Sequence, residues 1–316
     1  MNLVEIRNLK KYFELSRGQF VHAVDDISLE IRENEILGLV GESGSGKSTL
    51  GKVIAGLHPR TSGEITFKGN ELPKKYKASD FLTLSKDIQM IFQDPYGSLN
   101  PRMTVEEVVG EGLKLRGVGK KEIRQKVGEW LTKVGLSPDH MSRFPHEFSG
   151  GQRQRIGIAR AMIVEPSFVI CDEPISALDV SVQAQVVNLL EELKTSMGLT
   201  LLFIAHDLSM VRYISDRIAV MYLGAIVECG PANEVYFEAK HPYSQLLINS
   251  NPLADPKIEK EREHTPIKGE IPSPVNIPAG CRFAGRCPHA MDKCQTQTPL
   301  LKAEAEDHLV ACHLFE

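Results

Sequence analysis

The stretch that most constrains this chain is residues 35–52. A short run of branched apolar residues, Glu35-Ile-Leu-Gly-Leu-Val40, runs directly into Gly41-Glu42-Ser43-Gly44-Ser45-Gly46-Lys47-Ser48-Thr49, and a helical pattern follows. Strand, glycine-rich loop and helix in that order form the frame of a phosphate cradle. Gly41, Gly44 and Gly46 permit backbone angles and close approaches that a Cβ forbids, so successive N–H groups, including those of Ser43 and Ser45, turn inward toward an anion. Lys47 supplies a point charge at the β- and γ-phosphates. Ser48, with Thr49 beside it, offers a hydroxyl to Mg²⁺. The loop predicts ATP and Mg²⁺ as ligands and requires an α/β sheet to carry it.

The rest of the chain supplies that sheet. Residues 3–7 and 21–31 alternate apolar and polar positions, as in an antiparallel sheet with one wet face. Residues 88–92, 167–172 and 199–205 are short, nearly continuous apolar runs, the pattern of strands buried on both faces. Helical periodicity over 152–163 and 182–193 falls between the later runs, which predicts a mostly parallel α/β body. Residues 94–148 break the alternation with helical stretches at 104–115 and 121–134, so a helical subdomain is expected over about 94–163. We expect one nucleotide-binding domain over 1–250. A linker over 251–280 is marked by six prolines (252, 256, 266, 272, 274, 278) and a charged run at 255–264, and a separate extension covers 281–316.

Two further segments bear on phosphate chemistry. The run Phe168-Val-Ile-Cys-Asp172-Glu173 is a buried strand ending in two acids, and ligands of open α/β sheets sit at the carboxyl ends of strands. Asp172 is expected at Mg²⁺, and Glu173 is placed to orient the attacking water and accept its proton. Phe148-Ser149-Gly150-Gly151-Gln152 opens a strongly helical stretch. Its unpaired N–H groups and the positive end of the helix dipole make a second anion site, unless the serine merely caps the helix.

A phosphate loop, then FSGGQ, then a strand ending Asp-Glu, with 125 residues from Lys47 to Asp172, resembles the ATP-binding subunit of an ABC transporter. The resemblance implies that Ser149, Gly150, Gly151 and Gln152 face ATP held by a second such subunit, so two domains sandwich two nucleotides. It also implies that Phe13, with Tyr12 as the alternative, stacks on adenine, and that Gln93 reaches Mg²⁺ and the attacking water. Asp179 would couple the two sites, and His206 would contact the γ-phosphate. Chromosome-type ABC ATPases need a long heptad-rich insertion, and translation-factor types carry two such domains in one chain. This chain has neither.

Six cysteines are present, four of them (Cys281, Cys287, Cys294, Cys312) clustered as C-x5-C-x6-C-x17-C. This spacing, its surroundings, and Gln-Asp-Pro-Tyr-Gly-Ser-Leu-Asn-Pro-Arg-Met-Thr at 93–104 are similar to oligopeptide and dipeptide ABC importer ATPases. Four thiolates suit a [4Fe-4S] cluster, which the resemblance favours, or Zn²⁺ with His289 or His313 substituting as ligands; four packing cysteines are the remaining reading. Cys171 and Cys229 lie in strand-like runs and are expected to pack.

Composition excludes more than it selects. Thirty-seven basic against 41 acidic residues, net −4 and without a long basic run, give no basis for nucleic acid as a partner. No run of eighteen apolar residues occurs, and residues 1–7 lack a signal-peptide layout. The chain is therefore expected in the cytosol, and the resemblance implies a peripheral place on the cytoplasmic face of the cell membrane. The resemblance supplies the expected partners there: two permease subunits, a related second ATPase and an extracytoplasmic binding protein. The transported solute is not written in the sequence.

Overall fold

The computed structural model describes residues 1–250 and 272–315. The prolines at 252, 256 and 266 and the charged run at 255–264 lie outside the described residues. The chain divides into two compact units, Met1–Lys75 with Ala205–Glu316, and Tyr76–Ile204.

The first unit opens with β1 (Asn2–Glu14) and β2 (Phe20–Arg32), which pair antiparallel as their alternation predicts. β4 (Ser62–Phe67) and β5 (Asn70–Glu71) complete a sheet in the order β2-β1-β4-β5. Between β2 and β4 come β3 (Ile36–Val40), every residue of which is buried, and α1 (Lys47–Ile54). β3 pairs parallel with β9 (Arg217–Tyr222), aligning Val40 with Val220. β10 (Ala225–Pro231) turns back antiparallel on β9. The C-terminal hairpin of β11 (Lys302–Ala305) and β12 (His308–Val310) extends this sheet by pairing β12 with β10. Helices α7 (Leu208–Ile214), α8 (Ala232–Phe237), α9 (Pro242–Ser250) and the short α10 (Asp292–Thr296) fill the remainder.

The hairpin is fixed by chemistry as well as by backbone pairing. The carboxylate of Glu228, fully buried on β10, lies 2.8 Å from Nε2 of His308 and accepts the N–H groups of Lys240 and His241. A buried carboxylate needs such partners to offset its desolvation.

The second unit holds β6 (Ile88–Ile91), β7 (Phe168–Asp172) and β8 (Thr200–Ala205), which run parallel. α2 (Ala78–Leu84) precedes them, and α6 (Val180–Met197) joins β7 to β8. Three helices, α3 (Val105–Leu115), α4 (Lys120–Lys133) and α5 (Gly150–Met162), pack on one another, and the periodicities at 104–115, 121–134 and 152–163 match them. Thr104 caps α3 through a reciprocal pair with Glu107, the arrangement expected of a Thr followed three residues on by Glu. Among the described residues no helix is long and apolar enough to cross a membrane.

Candidate functional site

The cradle is built in the first unit. Gly46 caps α1 with φ 107°, and a Cβ there would lie 2.0 Å from the Ala23 carbonyl oxygen, so only glycine fits. Gly41 is equally constrained, since its Cβ would meet the Met221 carbonyl at 2.1 Å. Lys47, 4% exposed, turns its ammonium back into the loop and donates to the carbonyls of Gly41 (2.7 Å) and Glu42 (3.0 Å) and to Ser45 Oγ (3.4 Å). The cation is thus held by the same loop whose N–H groups suit an anion. Ser43 and Gly44 are exposed at the rim, Ser45 is buried, and Ser48 and Thr49 are half-buried on the first turn of α1.

Phe13 and Tyr12 differ in what they are free to do. The Tyr12 hydroxyl donates to Asp25, its ring lies 4.1 Å from that of His22, and burial followed by the Asp25 hydrogen bond raises its pKa. Phe13, on the opposite face of β1, meets the edge of His58 at 5.4 Å and the Lys11 ammonium at 4.5 Å. His206, exposed, lies between β8 and α7.

The acidic strand end belongs to the second unit. Asp172, 2% exposed, closes β7. Glu173 follows in the left-handed region at φ 44°, and its N–H donates to the Ile204 carbonyl at 3.0 Å. A non-glycine residue there costs about 1–3 kcal/mol and persists only where the surroundings hold it. Gln93, exposed after β6, donates through Nε2 to Glu173 Oε2 at 3.0 Å, so two residues 80 positions apart meet at one carboxylate.

The second anion-site candidate starts α5. Ser149 Oγ accepts the Gln152 N–H at 3.4 Å, while Gln152 Oε1 accepts the Ser149 N–H at 3.0 Å. Ser149 is thus a helix cap and also an exposed residue at a helix start, so the two expectations do not exclude each other. A Cβ on Gly151 would strike Val182 at 2.6 Å, so glycine brings the start of α5 close against α6. Gly150 is half-buried beside it. Asp179 is the exposed N-cap residue of α6 and makes no side-chain cap bond.

The C-terminal cysteines require a correction. We expected a [4Fe-4S] cluster, with Zn²⁺ as the alternative, at Cys281, Cys287, Cys294 and Cys312. Among the described residues no group of three or more His, Cys, Asp or Glu side chains is arranged to hold a metal ion, and all four are free thiols. Burial pushes the Cys281 thiol up to about 11 and raises Cys287 and Cys312 as well. His313 Nε2 lies 2.9 Å from the Gln297 carbonyl, and His289 is exposed. Spacing gave the right donor type, but convergence of four sulfurs is a property of the fold. Cys171 and Cys229 pack as expected, with burial pushing their thiols to about 12 and about 11.

Sequence reasoning missed a second set of contacts, on Glu42 inside the cradle loop. Its carboxylate accepts both Nη groups of Arg286, at 2.7 and 2.9 Å, and its N–H donates to the Tyr243 hydroxyl at 2.8 Å. An acid at the second position of the loop was the available signal. Nothing in the sequence around Arg286 pointed back to it.

A glycine cradle with its lysine, a strand ending in two acids, and a capped Ser-Gly-Gly helix define a P-loop ATP-binding cassette. The ABC transporter family matches residues 24–176, and the oligopeptide/dipeptide transporter C-terminal region matches residues 227–294. The chain is 50% identical over 310 residues to the oligopeptide transport ATP-binding protein OppF of Haemophilus influenzae, covering 98% of this chain and 93% of that protein. It is 49% identical over 320 residues to OppF of Escherichia coli (strain K12), covering 98% and 95%. Among solved structures, the dimeric post-hydrolysis state of the ATP-binding cassette MJ0796 bound to ADP and Pi superposes with TM-score 0.67 at 27% identity, over 72% of this chain and 98% of that one. The chain belongs to the ABC transporter ATP-binding family, in its oligopeptide/dipeptide branch.

Proposed function

We propose that this protein binds and hydrolyses Mg-ATP to energise uptake of di- and oligopeptides through a separate permease fed by a binding protein. The observation that carries the reading is the pairing of Gln93 with Glu173 at 3.0 Å, on a backbone held in a strained conformation. An acid kept there at such cost has a use beyond packing. Membership of the oligopeptide branch along nearly the whole chain supports the cargo class.

Each residue has a proposed part. The amides of residues 41–49 receive the phosphates, and Lys47 exchanges its loop carbonyls for β- and γ-phosphate oxygens. The donors Ser48, Asp172 and Gln93 offer only oxygen, the set a hard Mg²⁺ prefers alongside phosphate and water. Mg²⁺, when bound with the nucleotide, supplies neutralisation of phosphate charge. Glu173 accepts the proton of the attacking water, and Gln93 orients both. His206 donates toward the γ-phosphate. Ser149, Gly150, Gly151 and Gln152 act on the nucleotide of a second ATP-binding subunit, a related chain rather than an identical one, with Asp179 facing that junction. The dimer of the MJ0796 cassette supports the pairing. The protein attaches peripherally at the cytoplasmic face through 94–163 and the segment after Gln93. The extension at 281–316 serves as a structural module.

The test is uptake of labelled peptides by cells carrying or lacking this chain, with the permease, binding protein and second ATPase supplied. Loss of peptide uptake on deletion supports the reading, and unchanged uptake sinks it. The adenine assignment is tested separately. Phe13→Ala is expected to weaken ATP binding by about tenfold, the loss of roughly 1–1.5 kcal/mol of ring stacking. Tyr12→Phe, which leaves the ring and removes only the bond to Asp25, should change it by less than about twofold. Phe13→Ala within about twofold of wild type, measured by titration with a fluorescent ATP analogue, would remove Phe13 from the role, and a loss of about tenfold in Tyr12→Ala would then transfer it to Tyr12.

A further inference from the structure

The loop between the first two C-terminal cysteines reaches the nucleotide cradle. Phe283, 2% exposed, packs against Tyr222 and Tyr243, each with its ring centre 5.4 Å away. That anchor brings Arg286 to Glu42 as a bidentate ion pair, and the arginine side chain is only 4% exposed. Glu42 is thereby fixed at three points: its carboxylate by Arg286, its N–H by the Tyr243 hydroxyl at 2.8 Å, and its carbonyl by Lys47 Nζ at 3.0 Å. The same loop touches β2, which pairs with the strand that carries Phe13. Arg282 donates to Asp25 at 2.7 Å, and Asp25 also receives the Tyr12 hydroxyl.

We propose that Arg286 is a positioning residue of the nucleotide site, neutralising Glu42 and holding the cradle loop in its phosphate-receiving form from the C-terminal extension. The inference rests on nucleotide binding at residues 41–49. Its physical basis is a conflict of charge: Glu42 puts a carboxylate on the backbone next to Gly41, where a polyanionic triphosphate is to bind. Like charges in a partly dehydrated loop repel strongly. A bidentate guanidinium cancels the carboxylate and also fixes its direction. When Lys47 moves to the phosphates, the Glu42 carbonyl loses its cation, and Arg286 and Tyr243 remain to keep the residue in place.

Arg286→Gln retains a hydrogen-bond donor for Glu42 but removes the charge. Titration of the full chain with a fluorescent ATP analogue and Mg²⁺ is expected to show an increase in Kd of about tenfold. In the Glu42→Gln background the same change should cost less than about threefold, because no carboxylate is left to neutralise. At saturating ATP, kcat should stay within about twofold of wild type, since the loss is in binding alone. A loss equal in both backgrounds, or a Kd within about twofold of wild type, overturns the proposal, because a merely structural contact would not depend on the charge of Glu42. If Arg286→Gln folds poorly, judged by its thermal transition, Arg286→Lys is read instead. It keeps the charge but loses the bidentate fork, so it should bind within about fivefold of wild type, and a loss as large as the roughly tenfold one expected of Arg286→Gln overturns the proposal. Lys47→Ala in the same titration separates the two levels: ATP binding unchanged in that variant removes the nucleotide site itself, whereas binding lost in it leaves the Arg286 result to be judged alone.

Discussion

Glu173→Gln is expected to lower ATP turnover by at least about a hundredfold while leaving the affinity for Mg-ATP within about threefold of wild type. The substitution keeps the shape of the side chain and takes away only its capacity to accept a proton. Gln93 Nε2 donates to Glu173 Oε2, and a glutamine at 173 still presents an amide oxygen to that donor. The backbone at φ 44° is held by the bond from the 173 N–H to the Ile204 carbonyl, which the exchange does not touch. Geometry is therefore conserved, and the loss isolates proton acceptance. The same variant should accumulate an ATP-bound pair of ATP-binding subunits, visible by size-exclusion chromatography in the presence of Mg-ATP and the partner ATPase. Steady-state phosphate release is the primary measurement, and hydrolysis within a few-fold of wild type removes Glu173 from the role.

What the sequence disclosed and what it hid follow from the range of the interactions. Continuous apolar runs such as 36–40 and 168–172 belong to strands buried on both sides, and composition within five residues suffices to see them. The cap at Thr104 and Glu107 is equally local. The strain at Glu173 leaves no trace in residue type, because it is imposed by a carbonyl on the neighbouring strand. The grip of Arg286 on Glu42 spans 244 positions and comes from a loop anchored by Phe283 against two tyrosines. The cysteines erred in the opposite direction: their spacing was conspicuous, yet spacing along a chain does not specify how four sulfurs are oriented. Tyr12 and Phe13 were indistinguishable as neighbours in sequence, and separated only when Asp25 was found to hold the tyrosine hydroxyl.

Lys47→Ala should abolish measurable ATP binding, raising Kd by at least about a hundredfold, and with it all turnover. In the proposed role the ammonium exchanges loop carbonyls for phosphate oxygens, and the substitution removes it from both. In the loop it donates to the carbonyls of Gly41 and Glu42, at 2.7 and 3.0 Å. Without it the Gly41 and Glu42 carbonyls lose their cation, the latter keeping the Ser45 N–H at 3.2 Å, and an incoming phosphate meets carbonyl oxygen where it should meet a cation. A charged contact to phosphate in a site only 4% exposed at this side chain is worth roughly 2–5 kcal/mol when truncated. Lys47→Arg tests whether charge alone suffices. The guanidinium is broader than the ammonium, and the loop around it is closed by Gly41 and Gly46, whose missing Cβ atoms already leave no more than about 2 Å to the Met221 and Ala23 carbonyls. Charge is thus retained but the fit is lost, so Lys47→Arg is expected to recover less than about a tenth of wild-type affinity. Isothermal titration with Mg-ATP distinguishes the outcomes, and wild-type affinity in Lys47→Ala would remove this loop as the nucleotide site.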